Sequence, residues 1–252
     1  MRIALIQPDI KDFDILYNLN KLTNIVNCIK QDIDWIIFPE MFITGFITDR
    51  KLCEQSKTIG LDFMQEIAKE KHCLVEGSLL IEENNKQFNR HYLITPKDEI
   101  FYYDKKHLFS LSDERKLEAG KSHTIVNWND WKINLLTCYD LRFPLWCRNE
   151  YKNNTFLYDI MVFVASWPES RSEQWLTLLK ARAIENACYV IGVNRIGSDH
   201  KGIHYNGESH LINTKGEIIT PKNKINDVLK YYNVEKSEID SSRKKFPVYL
   251  DW

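Results

Sequence analysis

Apolar residues in this chain gather into short continuous runs, separated by stretches in which they recur at helical spacing. That alternation predicts strands buried on both faces of a sheet with helices between them. Arg2 to Gln7 reads as a first strand stopped by Pro8, and Leu16, Leu19, Leu22, Ile25, Val26 and Ile29 then follow a helical period. Asp34 to Pro39 is a second dry run, ending on Glu40. Leu61 to Lys71 predicts a helix with Phe63, Met64, Ile67 and Ala68 on one side, and Cys73 to Ile81 a further strand. Turn residues at Glu83 to Lys86 and at Pro96 to Glu99 predict hairpins, the second joining Tyr92–Thr95 to Ile100–Tyr103. Ser110 to Gly120 is polar and reads as an ordered loop. Thr124 to Trp128 and Trp131 to Cys138 form another predicted hairpin, and Asp159 to Ala165 repeats the dry-strand pattern.

Ser172 to Ala187 predicts an amphipathic helix with Trp175, Leu178, Leu179, Ala183 and Ile184 inward and a serine as N-cap. It leads into a strand over Tyr189 to Val193, a glycine-bearing loop over His200 to Ser209, a hairpin turned at Lys215 and Gly216, and a last strand over Val228 to Val234. The tail, about 235–252, is basic and then aromatic, and reads as a solvated segment or a subunit contact. With no linker, repeat or low-complexity tract, the 252 residues are expected to form one domain.

Composition narrows the function. A net charge of −1 argues against an electrostatic hold on nucleic acid, so the expected partner is a small molecule. The first apolar run is far too short for a signal peptide's core and no later one approaches membrane-spanning length, so no membrane association is expected and a cytoplasmic location is. Six cysteines without a C-x-x-C pair indicate free thiols rather than a zinc knuckle or a disulfide framework. Seven histidines are equally dispersed, with only His204 and His210 sharing one short polar loop, and no metal site is expected.

One strand end is chemically conspicuous. Leu135 to Thr137 runs into Cys138, and Pro144 shortly afterwards suits the first turn of a helix. A cysteine on such a strand-to-helix corner is displayed at the sheet's edge, with the first N–H groups of the helix favouring negative charge beside it. Glu40 and Lys105 stand at two other strand ends, and ligands gather where strands of this kind of sheet end. Desolvation would raise the carboxyl pKa of Glu40 and suit it to general-base work, while a lysine beside sulfur would lower the thiol pKa and offer an N–H to an oxyanion. Taken singly, each residue also has a plain structural role, as packing atom, helix-start carboxylate or solvated cation.

Phe38–Phe42, Tyr103–Phe109 and Leu136–Pro144 resemble, in order, the three signature segments of the nitrilase superfamily of carbon–nitrogen hydrolases. The likeness continues through Ala165–Pro168, Arg171–Trp175, Lys180–Asn186 and Asn194–Asp199 and fades after about Thr220. It implies a four-layer α-β-β-α sandwich and a Glu40–Lys105–Cys138 triad, with Lys105 rather than Lys106 as the family's lysine. It further implies Glu114 as the additional glutamate and the Tyr139 backbone N–H as an oxyanion donor. Metal and organic cofactors are not implied, whereas a homodimer is. Cys-Tyr-Asp-Leu-Arg-Phe-Pro and Trp-Pro-x-x-Arg-Ser look like the ω-amidase branch, which implies hydrolysis of α-keto acid amides such as 2-oxoglutaramate and 2-oxosuccinamate. Arg171 is the expected partner of the substrate's carboxylate, with Phe42 and Trp167 as further substrate contacts. An N-carbamoyl amino acid hydrolase, an aliphatic amidase or a nitrilase with the same triad stays open, as does a catalytically silent binding protein.

Overall fold

In the computed structural model, which describes residues 1–30, 32–225 and 228–252, the dry runs become the strands of two sheets. Strand β1 (Arg2–Ile6) is followed by helix α1 (Ile15–Asn27), β2 (Trp35–Ile37), α2 (Cys53–Lys71), β3 (Leu74–Glu83), β4 (Lys86–Ile94) and β5 (Ile100–Asp104). The chain then forms β6 (Ile125–Trp128), β7 (Trp131–Thr137), a small hairpin of β8 (Tyr151–Lys152) and β9 (Thr155–Phe156), β10 (Ile160–Ala165), α3 (Ser172–Asn186) and β11 (Tyr189–Asn194). A second small hairpin, β12 (Ile196–Ser198) and β13 (His204–Asn206), precedes β14 (His210–Ile212), β15 (Asn223–Ile225), β16 (Leu229–Asn233) and α4 (Lys236–Lys245).

The larger sheet has the order β15-β16-β1-β2-β3-β4-β5 and the smaller β14-β11-β10-β7-β6. Parallel pairing of β1 with β2, β2 with β3, β7 with β10 and β10 with β11 puts the carboxyl ends of these strands on a common edge in each sheet. Period two along β1 explains the layers. Ile3 and Leu5 join Trp35, Ile37, Leu93, Ile133 and Leu135 in the core between the sheets, whereas Ala4 and Ile6 face Leu22, Val26, Met64 and Ile67 of α1 and α2. On the smaller sheet Trp175 and Leu179 of α3 sit so close to β11 that a Cβ on Gly192 would lie 2.6 Å from each. The result is a four-layer α-β-β-α sandwich, as the resemblance implies.

Several local expectations are corrected. Helix α2 starts eight residues earlier than the apolar stripe implied, with Gly60 in its middle against Leu79 and Ile43. Ser172 is not an N-cap: a turn of 3₁₀-helix over Glu169–Arg171 leads directly into α3, and the Ser172 hydroxyl donates to the Glu169 carbonyl. Ile184, expected inward, is 52% exposed, and Leu16, at the start of the helical period of α1, is 68% exposed. The basic tail contains α4, whose Ile239 and Arg243 are buried against the smaller sheet. Pro144 starts no helix, because the elbow is a five-residue 3₁₀ segment, Cys138–Arg142, that ends before it. Among the described residues no helix is long and apolar enough to cross a membrane.

Candidate active site

Three strand ends deliver three side chains to one buried point. Glu40 follows β2 through Phe38 and Pro39, and the chain turns away at once through Met41, whose φ is +48° and whose N–H donates to Ser78 Oγ at 2.9 Å. Lys105 follows β5, where its N–H still donates to the Asn89 carbonyl at 3.0 Å and its own carbonyl accepts from Gly120 at 2.9 Å. Only glycine fits at 120, since a Cβ there would stand 1.9 Å from the Asp104 carbonyl oxygen. Cys138 follows β7 at φ +43°, a left-handed conformation that costs a non-glycine residue roughly 1–2 kcal/mol and turns the chain sharply at the sulfur-bearing residue.

The elbow is held by Asp140. Its Oδ2 accepts from Thr137 N–H at 3.0 Å and Tyr103 hydroxyl at 2.8 Å, while Oδ1 contacts His107 N–H at 2.9 Å and His107 Nδ1 at 2.8 Å. Every donor but Thr137 belongs to the segment that carries Lys105, so Asp140 ties two of the three strand ends together.

Lys105 Nζ donates to Glu40 Oε1 at 2.9 Å and to Glu114 Oε1 and Oε2 at 2.8 Å, with all three side chains fully buried. Glu114 arrives on a 3₁₀ turn, Asp113–Lys116, capped by Ser112, and its Oε2 also accepts from Phe109 N–H at 2.7 Å. Two groups escaped sequence reasoning. Asn89, on β4, bridges Glu40 Oε1 at 2.7 Å and Glu114 Oε1 at 2.9 Å, and the Ser166 N–H donates to Glu40 Oε2 at 2.8 Å. No motif marks an asparagine inside a strand or a backbone amide after one. The only signal for Asn89 was a polar residue interrupting a strand's buried face.

These contacts set the protonation states. Burial alone would discharge Lys105, but Glu114, Glu40 and the Cys138 sulfur around it raise its pKa instead. Burial raises the Glu114 carboxyl, with Lys105 opposing. For Cys138 burial first, and then the charge of Glu40, push the thiol pKa well above the ordinary value and outweigh the expected lowering by Lys105 and that by the Ser166 N–H. Burial and Glu40 both favour the protonated sulfur.

Cys138 and Lys105 lie on the floor of a cavity of about 170 Å³. Tyr139, Trp167, Arg142, Arg171, Phe46, Phe109 and Tyr205 form its walls. Trp167 is fixed by its N–H on Asn194 Oδ1 at 2.8 Å and its indole N–H on the Arg171 carbonyl at 2.9 Å. The Arg142 guanidinium lies 4.8 Å from the Trp167 ring centre and that of Arg171 5.6 Å from the Phe109 ring centre, both facing the cavity. Phe42 is outside it. The left-handed turn at Met41 carries Phe42 into the outer core, where it stacks on Phe38 at 4.7 Å under Phe63 of α2; Phe46 takes the place at the cavity wall. Two loops make the rim, Phe109–Ser112 and Asp199–Ile203, linked by Lys201 Nζ to Asp113 at 3.2 Å. His204 and His210, which share one loop in the sequence, sit on different strands, and no metal-ligating group of three or more His, Cys, Asp and Glu occurs among the described residues.

A family model described as carbon-nitrogen hydrolase matches residues 2–243. The chain belongs to the carbon-nitrogen hydrolases. Within that family it is 39% identical to omega-amidase YafV of Escherichia coli over 219 residues, 86% of this chain and 84% of that one. It is 29% identical to the 2-oxoglutaramate amidase of Bacillus subtilis over 250 residues, 95% and 94% of the two chains. A solved CN-hydrolase superfamily protein from Xanthomonas campestris, with an arsenic adduct in its active site, superposes with a TM-score of 0.93 at 31% identity, covering 100% of this chain and 97% of that one. This carbon-nitrogen hydrolase is therefore an amidohydrolase of the omega-amidase branch, acting on a small-molecule amide.

Proposed function

We propose that the enzyme hydrolyses the ω-amide of short α-keto acid amides, of the 2-oxoglutaramate and 2-oxosuccinamate type, to the dicarboxylate and ammonia through a thioester on Cys138. The observation that carries this reading is a thiol on the floor of a small cavity, backed by a buried lysine between two carboxylates and faced by two arginines from the wall. Because the thiol is held protonated, a base has to take its proton as sulfur attacks the amide carbon, and Glu40 is that base. Lys105 has three N–H donors. Glu40 and Glu114 engage the ammonium, and a third donor, with the Tyr139 backbone N–H, receives the oxyanion. Glu40 then returns the proton to the departing nitrogen and ammonia leaves. A water deprotonated by Glu40 attacks the thioester, the acid is released, and the proton goes back to sulfur. Glu114 holds Lys105 in register throughout.

Arg171 takes the substrate's carboxylate with its forked donors, against Trp167. A homodimer and a single cooperative domain complete the reading. Ammonia release from 2-oxoglutaramate should exceed that from a nitrile or an N-carbamoyl amino acid, and trapping should add acyl mass at Cys138. Adduct at Cys147, or a preference for the carbamoyl compound, would overturn it. Cys138→Ala should abolish turnover with the circular dichroism spectrum unchanged.

A further inference from the structure

Between the two sheets lies a buried acid–imidazole pair that the mechanism does not use. Ser78 on β3 faces His91 on β4, which makes Glu76 the diagonal neighbour of His91 on the same face. His91 Nε2 is 2.7 Å from Glu76 Oε1, and both side chains are fully buried. On its other side His91 Nδ1 is 3.1 Å from the Leu136 carbonyl oxygen, on β7 of the opposite sheet and two residues before Cys138. A carbonyl only accepts, so Nδ1 carries a proton. The ring is thus hydrogen-bonded at Nδ1 to the opposite sheet and lies at Nε2 against the Glu76 carboxyl of its own sheet. Burial raises the Glu76 carboxyl, and His91 opposes it.

The placement matters because of what else this strand carries. Two residues earlier on the same face of β4, Asn89 holds Glu40 and Glu114. One strand face therefore grips the carboxylates directly and, through His91, the backbone that leads to the sulfur. On the far side of Cys138, Tyr103 of the same sheet holds Asp140.

We propose that His91, seated on Glu76, is a positioning residue for the nucleophile: by fixing the Leu136 carbonyl from the opposite sheet it sets the reach of Cys138 toward Glu40 and Lys105. This rests on the reading of Cys138 as nucleophile. A side chain acting only by filling space would be replaced best by an apolar residue, whereas a positioning donor is replaced by another donor at the same atom. Asparagine carries its amide nitrogen at that position.

The experiment compares His91→Asn with a double variant, His91→Leu with Glu76→Met, which leaves no bare buried carboxylate. Turnover is measured by ammonia release, and Cys138 alkylation by iodoacetamide is followed by peptide mass spectrometry, because exposed Cys28 also reacts. His91→Asn should keep kcat within about threefold of the parent, while the double variant should lose about tenfold or more in kcat with KM within about twofold. Cys138 alkylation should slow in the double variant alone. Equal kcat and alkylation in both variants would overturn the proposal, as would full activity in the folded double variant. If the double variant does not fold, His91→Asn decides: retained kcat supports the positioning role, and about tenfold loss at unchanged thermal midpoint overturns it. The alkylation readout is independent of the amide hydrolysed. Failure of the substrate panel with slowed alkylation would count against the keto-acid reading and not against His91.

Discussion

At the scale of single residues, the site is organised by charges that cannot leave. Glu40 raises the Cys138 thiol and Lys105 lowers it, so the two substitutions have opposite signs. Glu40→Gln should move the thiolate midpoint, followed at 240 nm against Cys138→Ala, toward lower pH even as turnover collapses. Lys105→Met should move it further up. A Glu40→Gln midpoint that rises would contradict the electrostatics described. The raised thiol also has a stability consequence. The native state keeps a proton that the unfolded chain loses near pH 8.5, so stability falls as pH rises beyond that value, and Cys138→Ala should fall less steeply in urea titrations.

At the scale of elements, Asp140 joins the elbow to the end of β5, accepting from Thr137, Tyr103 and His107. Asp140→Asn turns one acceptor into a donor facing donors, at about 1–3 kcal/mol for each group left unpaired. We expect a lower urea midpoint together with a fall in kcat at nearly constant KM. Much at this scale was legible beforehand. Dry runs buried on two faces, the hairpins at 83–86 and 96–99, and the strand ends bearing Glu40, Lys105 and Cys138 each have a local cause in side-chain period or turn chemistry. What escaped has a tertiary cause. The first turns of α2 are polar because they skirt the surface, Asn89 matters only because two distant carboxylates converge on it, and Ser166 contributes an amide that any residue would supply. The burial that outweighs Lys105 at the thiol escaped for the same reason. Sequence shows the lysine and the elbow but not the depth of burial.

At the scale of the molecule, the ends of the smaller sheet have different duties. The carboxyl ends of β7 and β10 lead into the site, while the opposite end is fastened by α4. There Arg243 donates to Asp159 at 2.6 Å and to the Ala187 and Tyr158 carbonyls at 2.8 and 3.0 Å, with its guanidinium 3.6 Å from the Phe156 ring centre. Lys236 adds a second cation on Asp159 at 2.9 Å. A basic tail thus becomes a structural clasp, because a buried carboxylate and two strand-end carbonyls await it. Arg243→Met should cost about 3–5 kcal/mol, lowering the thermal midpoint by about 2–4 °C per kcal/mol, with kcat at 25 °C unchanged. A loss of kcat without a loss of stability would place Arg243 in communication with the site.

The cavity's floor rests on strand ends, where Lys105 is paired with Glu40 and Glu114, and its rim on two loops joined by the surface bridge of Lys201 and Asp113, the first of which also holds Glu114 through Phe109 N–H and Ser112. Such a division makes the protein permissive to evolution in one place and conservative in another. Leu111 and Ile203 line the rim with exposed side chains, so substitutions there should alter which amide is admitted while the groups underneath stay in place.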